Sequence, residues 1–108
     1  MELNYPTTDD IIKANKKVIE LLRITKAERH HLLVPKDRIE SMINTIESSE
    51  GNVKKKAAMF LREINRRHFF GSANKRTSFV VAADFLLANE GRIPLKKKDE
   101  VKFLIEIR

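Results

Sequence analysis

The chain has no cysteine and no tryptophan among its 108 residues, and only three glycines and three prolines. Without cysteine there can be no disulfide scaffold, no thiolate metal centre and no cysteine nucleophile, and the composition suits a cytoplasmic protein. Few glycines and prolines leave most of the chain free to be helical. Aromatic residues make up 6%, mostly Phe, which provides little surface for stacking nucleic-acid bases. No apolar run reaches the roughly 18 residues that a membrane-spanning helix needs. Residues 1–10 carry Glu2, Asp9 and Asp10 and lack the apolar stretch of a signal peptide. What is present suffices for one domain: 108 residues, 42% of them hydrophobic, can bury one core.

The formal charge is +7, and it is unevenly placed. Residues 1–50 hold 8 basic and 9 acidic side chains, whereas residues 51–108 hold 14 and 6. A positive balance of this kind calls for an anionic partner. Lys54, Lys55 and Lys56, and also Lys96 to Lys98, read as solvated faces. The cluster from Arg66 to Arg76 is set apart by the residues it surrounds.

Hydrophobic spacing predicts an all-α chain. A first helix covers 8–24, with Thr8 as N-cap, Asp9 and Asp10 at its positive end, and Ile11, Ala14, Val18, Leu21 and Leu22 on one face. Residues 25–34 are ambiguous, with His31 to Val34 readable as a short strand or extended flap stopped by Pro35. A second helix spans about 36–48 (Ile39, Met42, Ile43, Ile46). A third runs from 53 to about 69 behind an Asn52 cap, with Val53, Ala57, Phe60, Leu61 and Ile64 as its stripe. Gly71 interrupts the pattern as a helix-ending glycine does. A fourth helix, about 73–90, is apolar nearly all round and is therefore the central buried element, closed by Gly91. The tail 101–108 fits both periods and is assigned as helix.

The stretch Arg66-Arg67-His68-Phe69-Phe70-Gly71-Ser72-Ala73-Asn74-Lys75-Arg76-Thr77 carries the chemistry. A helix ends near Phe69, the chain turns through Gly71, and the buried helix starts with Ser72 or Asn74 as cap. Backbone N–H groups of residues 73–76 then converge at a helix N-terminus, an arrangement that holds phosphate. Lys75 and Arg76 occupy a first turn where the macrodipole disfavours each cation by about 0.3–1 kcal/mol, so an anion is expected there in the working state. His68 lies across the turn, and a neutral imidazole beside such a nest can serve as a general base.

The run from His68 to Arg76 resembles the signature of the Fic/Doc (Fido) family, H-x-F-x-[D/N]-[G/A]-N-[K/G]-R, with Ser72 as the one departure among its constrained positions. Lysine at position 75, followed by Arg76 and Thr77, resembles the death-on-curing (Doc) branch. The resemblance implies a compact Fido-type helical bundle around the 73–90 helix, with a single domain over 1–108 that is minimal or shortened at its C-terminus. It implies His68 as the base that deprotonates a target hydroxyl and Phe70 as the anchor of the motif. Ala73 and Asn74 would shape the anion hole, with the Asn74 side chain also within reach of phosphate. Lys75 and Arg76 would neutralise phosphates, Arg66 would add a phosphate or target contact, and Leu32, Leu33 and Val34 would form the flap that aligns a target segment. ATP is the implied donor, and the implied function is a toxin that transfers phosphate to a Ser or Thr hydroxyl of a protein such as a translation elongation factor. AMP transfer of the Fic type and a catalytically silent Fido scaffold are the alternatives. A basic nucleic-acid-binding domain is the reading from a different class.

Ser72 occupies the position of the family's metal-binding Asp, and a neutral hydroxyl holds Mg²⁺ far less well than a carboxylate. Glu63 and Asp84 are the nearest carboxylates in sequence, Asp84 in the middle of the apolar helix, where pairing with an Arg or a metal role would account for it. The family's internal inhibitory motif is not matched, because Ile46 stands where a hydroxyl is required before Glu50-Gly51. Restraint of a toxin would therefore fall to a separate antitoxin protein.

Overall fold

The computed structural model describes residues 2–21 and 31–91. Within them the protein is all-α: α1 (Thr8–Leu21), α2 (Lys36–Ser48), α3 (Val53–Arg67) and α4 (Asn74–Glu90). The expectations for residues 22–24, for 25–30 and for a helix over 101–108 lie outside the described residues, as do Lys96 to Lys98.

Local chemistry sets the helix ends. The N-cap of α1 is Thr7 rather than Thr8: its Oγ1 accepts from Asp10 N–H (3.1 Å) while the Asp10 carboxylate accepts from Thr7 N–H (2.9 Å). That reciprocal pair satisfies two amides at once, which Thr8 could not do one residue later. Pro35 precedes α2, and Asn52 caps α3 by accepting from Lys55 N–H at 2.9 Å. Gly91, at φ 75°, closes α4 and donates its N–H to Leu87 O. A left-handed residue at that position is what favours glycine.

The buried faces of all four helices meet in one core that includes Ile11, Ile39, Met42, Phe60, Ile64, Phe70 and Phe85. α4 packs chiefly on α3 and next on α1, and is the central helix. Its exposed side carries Asp84 and Leu87, so the helix is not apolar all round, and Asp84 is not a charge within the core. Leu61 also faces out, one position off the stripe of α3.

Lys56 departs from the expected solvated run. Consecutive helical residues point about 100° apart, so Lys54, Lys55 and Lys56 cannot share a face. Lys56 is buried, and its Nζ donates to Tyr5 Oη (2.6 Å) and to Glu47 O (3.2 Å) at the end of α2. Tyr5 in turn stacks on Phe85, and the Asn89 side chain both accepts from Asn4 N–H and donates to Asn4 O. These contacts fix the N-terminal segment across the ends of α2, α3 and α4.

Candidate phosphate-binding and transfer site

α3 ends at Arg67, two residues earlier than its apolar pattern suggests. His68 is the C-cap, in the left-handed conformation (φ 52°, ψ 55°). The helix is therefore ended by a histidine and not by Gly71. Left-handed geometry costs a non-glycine residue on the order of 1 kcal/mol, and it turns the chain so that Phe69 and Phe70 enter the core, both nearly fully buried.

Gly71 has a different task. The segment His31–Leu33 runs antiparallel to Phe69–Gly71, with Leu33 N–H donating to Phe69 O and Gly71 N–H donating to His31 O, each at 2.8 Å. A Cβ on Gly71 would sit 3.3 Å from the His31 Cβ, so glycine permits this close approach. The extended flap expected near 31–34 is thus a short strand-like segment zipped to the motif. Leu32 and Val34 pack on the core while Leu33 is 54% exposed. In an antiparallel pair alternate residues turn their backbone groups to opposite edges, so the N–H and C=O of Leu32 face away from the motif.

The same alternation directs Phe70 N–H and C=O away from the flap, and the Asn74 side chain receives them. Asn74 Oδ1 accepts from Phe70 N–H (3.1 Å), and Asn74 Nδ2 donates to Phe70 O (2.8 Å). One side-chain amide thus stands in for a neighbouring strand. Nδ2 also lies 3.2 Å from His68 Nδ1. One expectation is corrected by this arrangement. Neither Ser72 nor Asn74 caps α4; the N-cap is Ala73, left-handed at φ 63°, with no side-chain cap. The Asn74 amide is hydrogen-bonded inside the motif, to the Phe70 backbone.

An uncapped start preceded by a left-handed residue suits an anion. Successive N–H groups around an αL–αR junction form a concave nest, and the N–H groups of a first helical turn have no carbonyl within the helix. Lys75 is exposed and Arg76 half-buried at this end. Buried Asn15 braces the loop from α1, its Nδ2 donating to Ser72 O (3.0 Å) and Thr77 Oγ1 (3.1 Å). Sequence reasoning did not select Asn15; the signal was a polar residue inside an apolar stripe, between Ile11 and Val18.

On the opposite flank Glu63 gathers three arginines. Its carboxylate lies 2.8 Å from Arg66 Nη2, 3.0 Å from Arg67 Nε and 3.3 Å from Arg62 Nε. The Arg66 hydrogen bond lowers its pKa most, burial opposes, and the contact with Arg67 adds to the lowering, holding the carboxyl down from 4.5 to about 2. Glu63 in turn raises the pKa of Arg66, through their hydrogen bond first and their opposite charges second. Arg66 is thereby fixed two residues before His68 with its side chain still 66% exposed.

Ser72 Oγ is buried and finds no hydrogen-bond partner among the described residues. Those residues include no group of three or more His, Asp or Glu side chains that could hold a cation, and Glu63 is occupied by arginines. Among the described residues, the donor set around Ser72 does not fit a resident Mg²⁺. An acidic hollow of about 730 Å³ along α2, lined by Asp37, Glu40 and Asn44 among others, includes none of the motif residues.

Taken together, fold and site define a helical scaffold that presents an imidazole beside an uncapped, cation-bearing helix start. A sequence profile of the Fic/DOC family matches residues 5–86, and the chain belongs to that family. No curated protein and no solved structure matches it. Among the described residues no helix is long and apolar enough to cross a membrane.

Proposed function

We propose that the protein is a Doc-like phosphotransferase that moves the terminal phosphate of ATP to a Ser or Thr hydroxyl of a target protein. The observation that carries the reading is the left-handed His68 set beside the uncapped, cationic start of α4. In this reading the phosphates lie on the backbone N–H groups of Ala73 and Asn74, with Lys75, Arg76 and Glu63-held Arg66 neutralising them. Phosphoryl transfer asks a protein chiefly for such positioning and fixed positive charge. The target hydroxyl gives its proton to His68, its oxygen bonds to the γ-phosphorus, the bond to the bridging oxygen breaks, and ADP leaves. The target segment adds as a strand to the outer edge of Leu32, with Leu33 offering an apolar contact.

Lysine at position 75 supports phosphate transfer over AMP transfer by resemblance to the Doc branch. A translation elongation factor as target, a toxin role held in check by an antitoxin, and a cytoplasmic setting follow from the same resemblance. The test is incubation of a cell lysate with ATP labelled at the γ or the α position, with His68→Ala as control. Protein labelling from γ-ATP alone, lost in the variant, is the expected result. Labelling from α-ATP would replace the reading with AMP transfer, and no labelling would leave a silent scaffold.

A further inference from the structure

We infer that Asn74 is a positioning residue that fixes which nitrogen of His68 carries the proton, holding the resting imidazole in the Nε2–H form. The argument is one of donors and acceptors. Phe70 N–H can only be received by an oxygen and Phe70 O only by an N–H, so the two contacts at 3.1 and 2.8 Å allow a single orientation of the Asn74 amide. Nδ2 is then the group that faces His68 Nδ1 at 3.2 Å, and an amide nitrogen has hydrogens but no available lone pair. A hydrogen on Nδ1 would set two donors against each other. Nδ1 therefore accepts, and in the neutral ring the hydrogen resides on Nε2.

The left-handed cap makes this wiring reachable, since it turns His68 back toward a residue six positions later. Asn74 is 6% exposed and held at Phe70 by two hydrogen bonds, so the third contact is made by an amide that cannot swing freely. The consequence rests on the proposed role of His68. At rest the ring offers a hydrogen-bond donor at Nε2 rather than a basic lone pair there. To take a hydroxyl proton at Nε2, the ring must first move its own proton from Nε2 to Nδ1 and part from Asn74. The motif thus holds its base in a donor form, suited to a phosphate oxygen, until that contact opens.

The experiment is nitrogen-15 NMR of the full chain with labelled histidine, at mildly alkaline pH where imidazoles are neutral, His68 being assigned by its loss in His68→Gln. The expected spectrum has an unprotonated shift at Nδ1 and a protonated shift at Nε2. In Asn74→Asp a carboxylate can accept from Nδ1–H, and the two shifts exchange places; in Asn74→Ala both move to the averaged values of a free imidazole. A full-length chain with the proton on Nδ1, or with averaged shifts, overturns the inference, as does a pattern unchanged in Asn74→Asp. The unsubstituted spectrum decides alone where a variant does not fold. Because the readout is the ring itself, it stands apart from whether any phosphate is transferred.

Discussion

Replacing Glu63 by glutamine tests whether the carboxylate is the electrostatic centre of the three arginines. Glutamine keeps the shape and one acceptor oxygen but leaves the guanidiniums of Arg62, Arg66 and Arg67 gathered around a neutral group. The Glu63 pKa falls from 4.5 to about 2 on folding, a displacement worth about 3 kcal/mol at full strength. Arg62 and Arg66 are two-thirds exposed, so solvent and salt screen the pairs, and about 1–2 kcal/mol is expected at neutral pH. The sign follows from linkage. A carboxyl whose folded pKa is depressed contributes fully above its unfolded value and loses that contribution as pH falls through the folded value. The native chain should therefore exceed Glu63→Gln in stability above pH 4.5, and the two should converge as pH approaches 2. Urea unfolding of both proteins across that range measures the gap directly, with other carboxylates cancelling in the difference. A gap that is absent at neutral pH, or that persists undiminished in acid, refutes the ion-pair account.

The remaining predictions concern the motif loop. In Gly71→Ala the added methyl meets the His31 Cβ at 3.3 Å, which should cost about 1–2 kcal/mol and speed amide exchange at Leu33 and Gly71, the two donors of the flap pairing. Asn15→Leu keeps the volume but removes the donor to Ser72 O and Thr77 Oγ1; thermal unfolding should register a loss of about 1–3 kcal/mol for the stranded acceptors. Ala73→Gly relieves a left-handed alanine at φ 63° and should raise the melting temperature, by about 0.5–1 kcal/mol in stability.

Much of the architecture was legible because helical periodicity reports burial directly. Ile39, Met42, Ile43 and Ile46 mark the buried face of α2, and all four are buried. The bounds of α2 fall where Pro35 and the Ser48–Asn52 break place them. Asn52 caps α3 as its side-chain chemistry suggests. What escaped the sequence depends on contacts between distant residues. Ser72 and Asn74 are both good caps taken locally, yet the buried Phe70 backbone needs an acceptor and a donor, and that demand draws the Asn74 amide away from its own helix. The cap then falls to Ala73. Likewise Lys56 reads as one of three surface lysines until Tyr5, 51 residues earlier, supplies a hydroxyl for its ammonium. The flap was recognisable as an extended segment before Pro35, but its partner Phe70 lies 38 positions on, and no local pattern encodes that pairing.

The loop and first helical turn, residues 68–76, contain Lys75 and Arg76 and no acidic residue, with Ser72 where the family pattern has a carboxylate. Both cations stand at the positive end of α4, whose first-turn amides no side chain caps. Each contribution is individually small, about 0.3–1 kcal/mol per cation against the dipole, and the left-handed Ala73 adds a cost of similar size. A sequence selected for stability alone would have an aspartate or serine as cap and an acid in the first turn. Glu63 lies on α3 instead, where it pairs with Arg62, Arg66 and Arg67. The proposed function sets a phosphate at this start of α4, beside His68, where the uncapped first-turn amides would receive it. Under the proposed function, an anionic ligand would draw its binding energy from these same uncapped amides and the cations of the first turn.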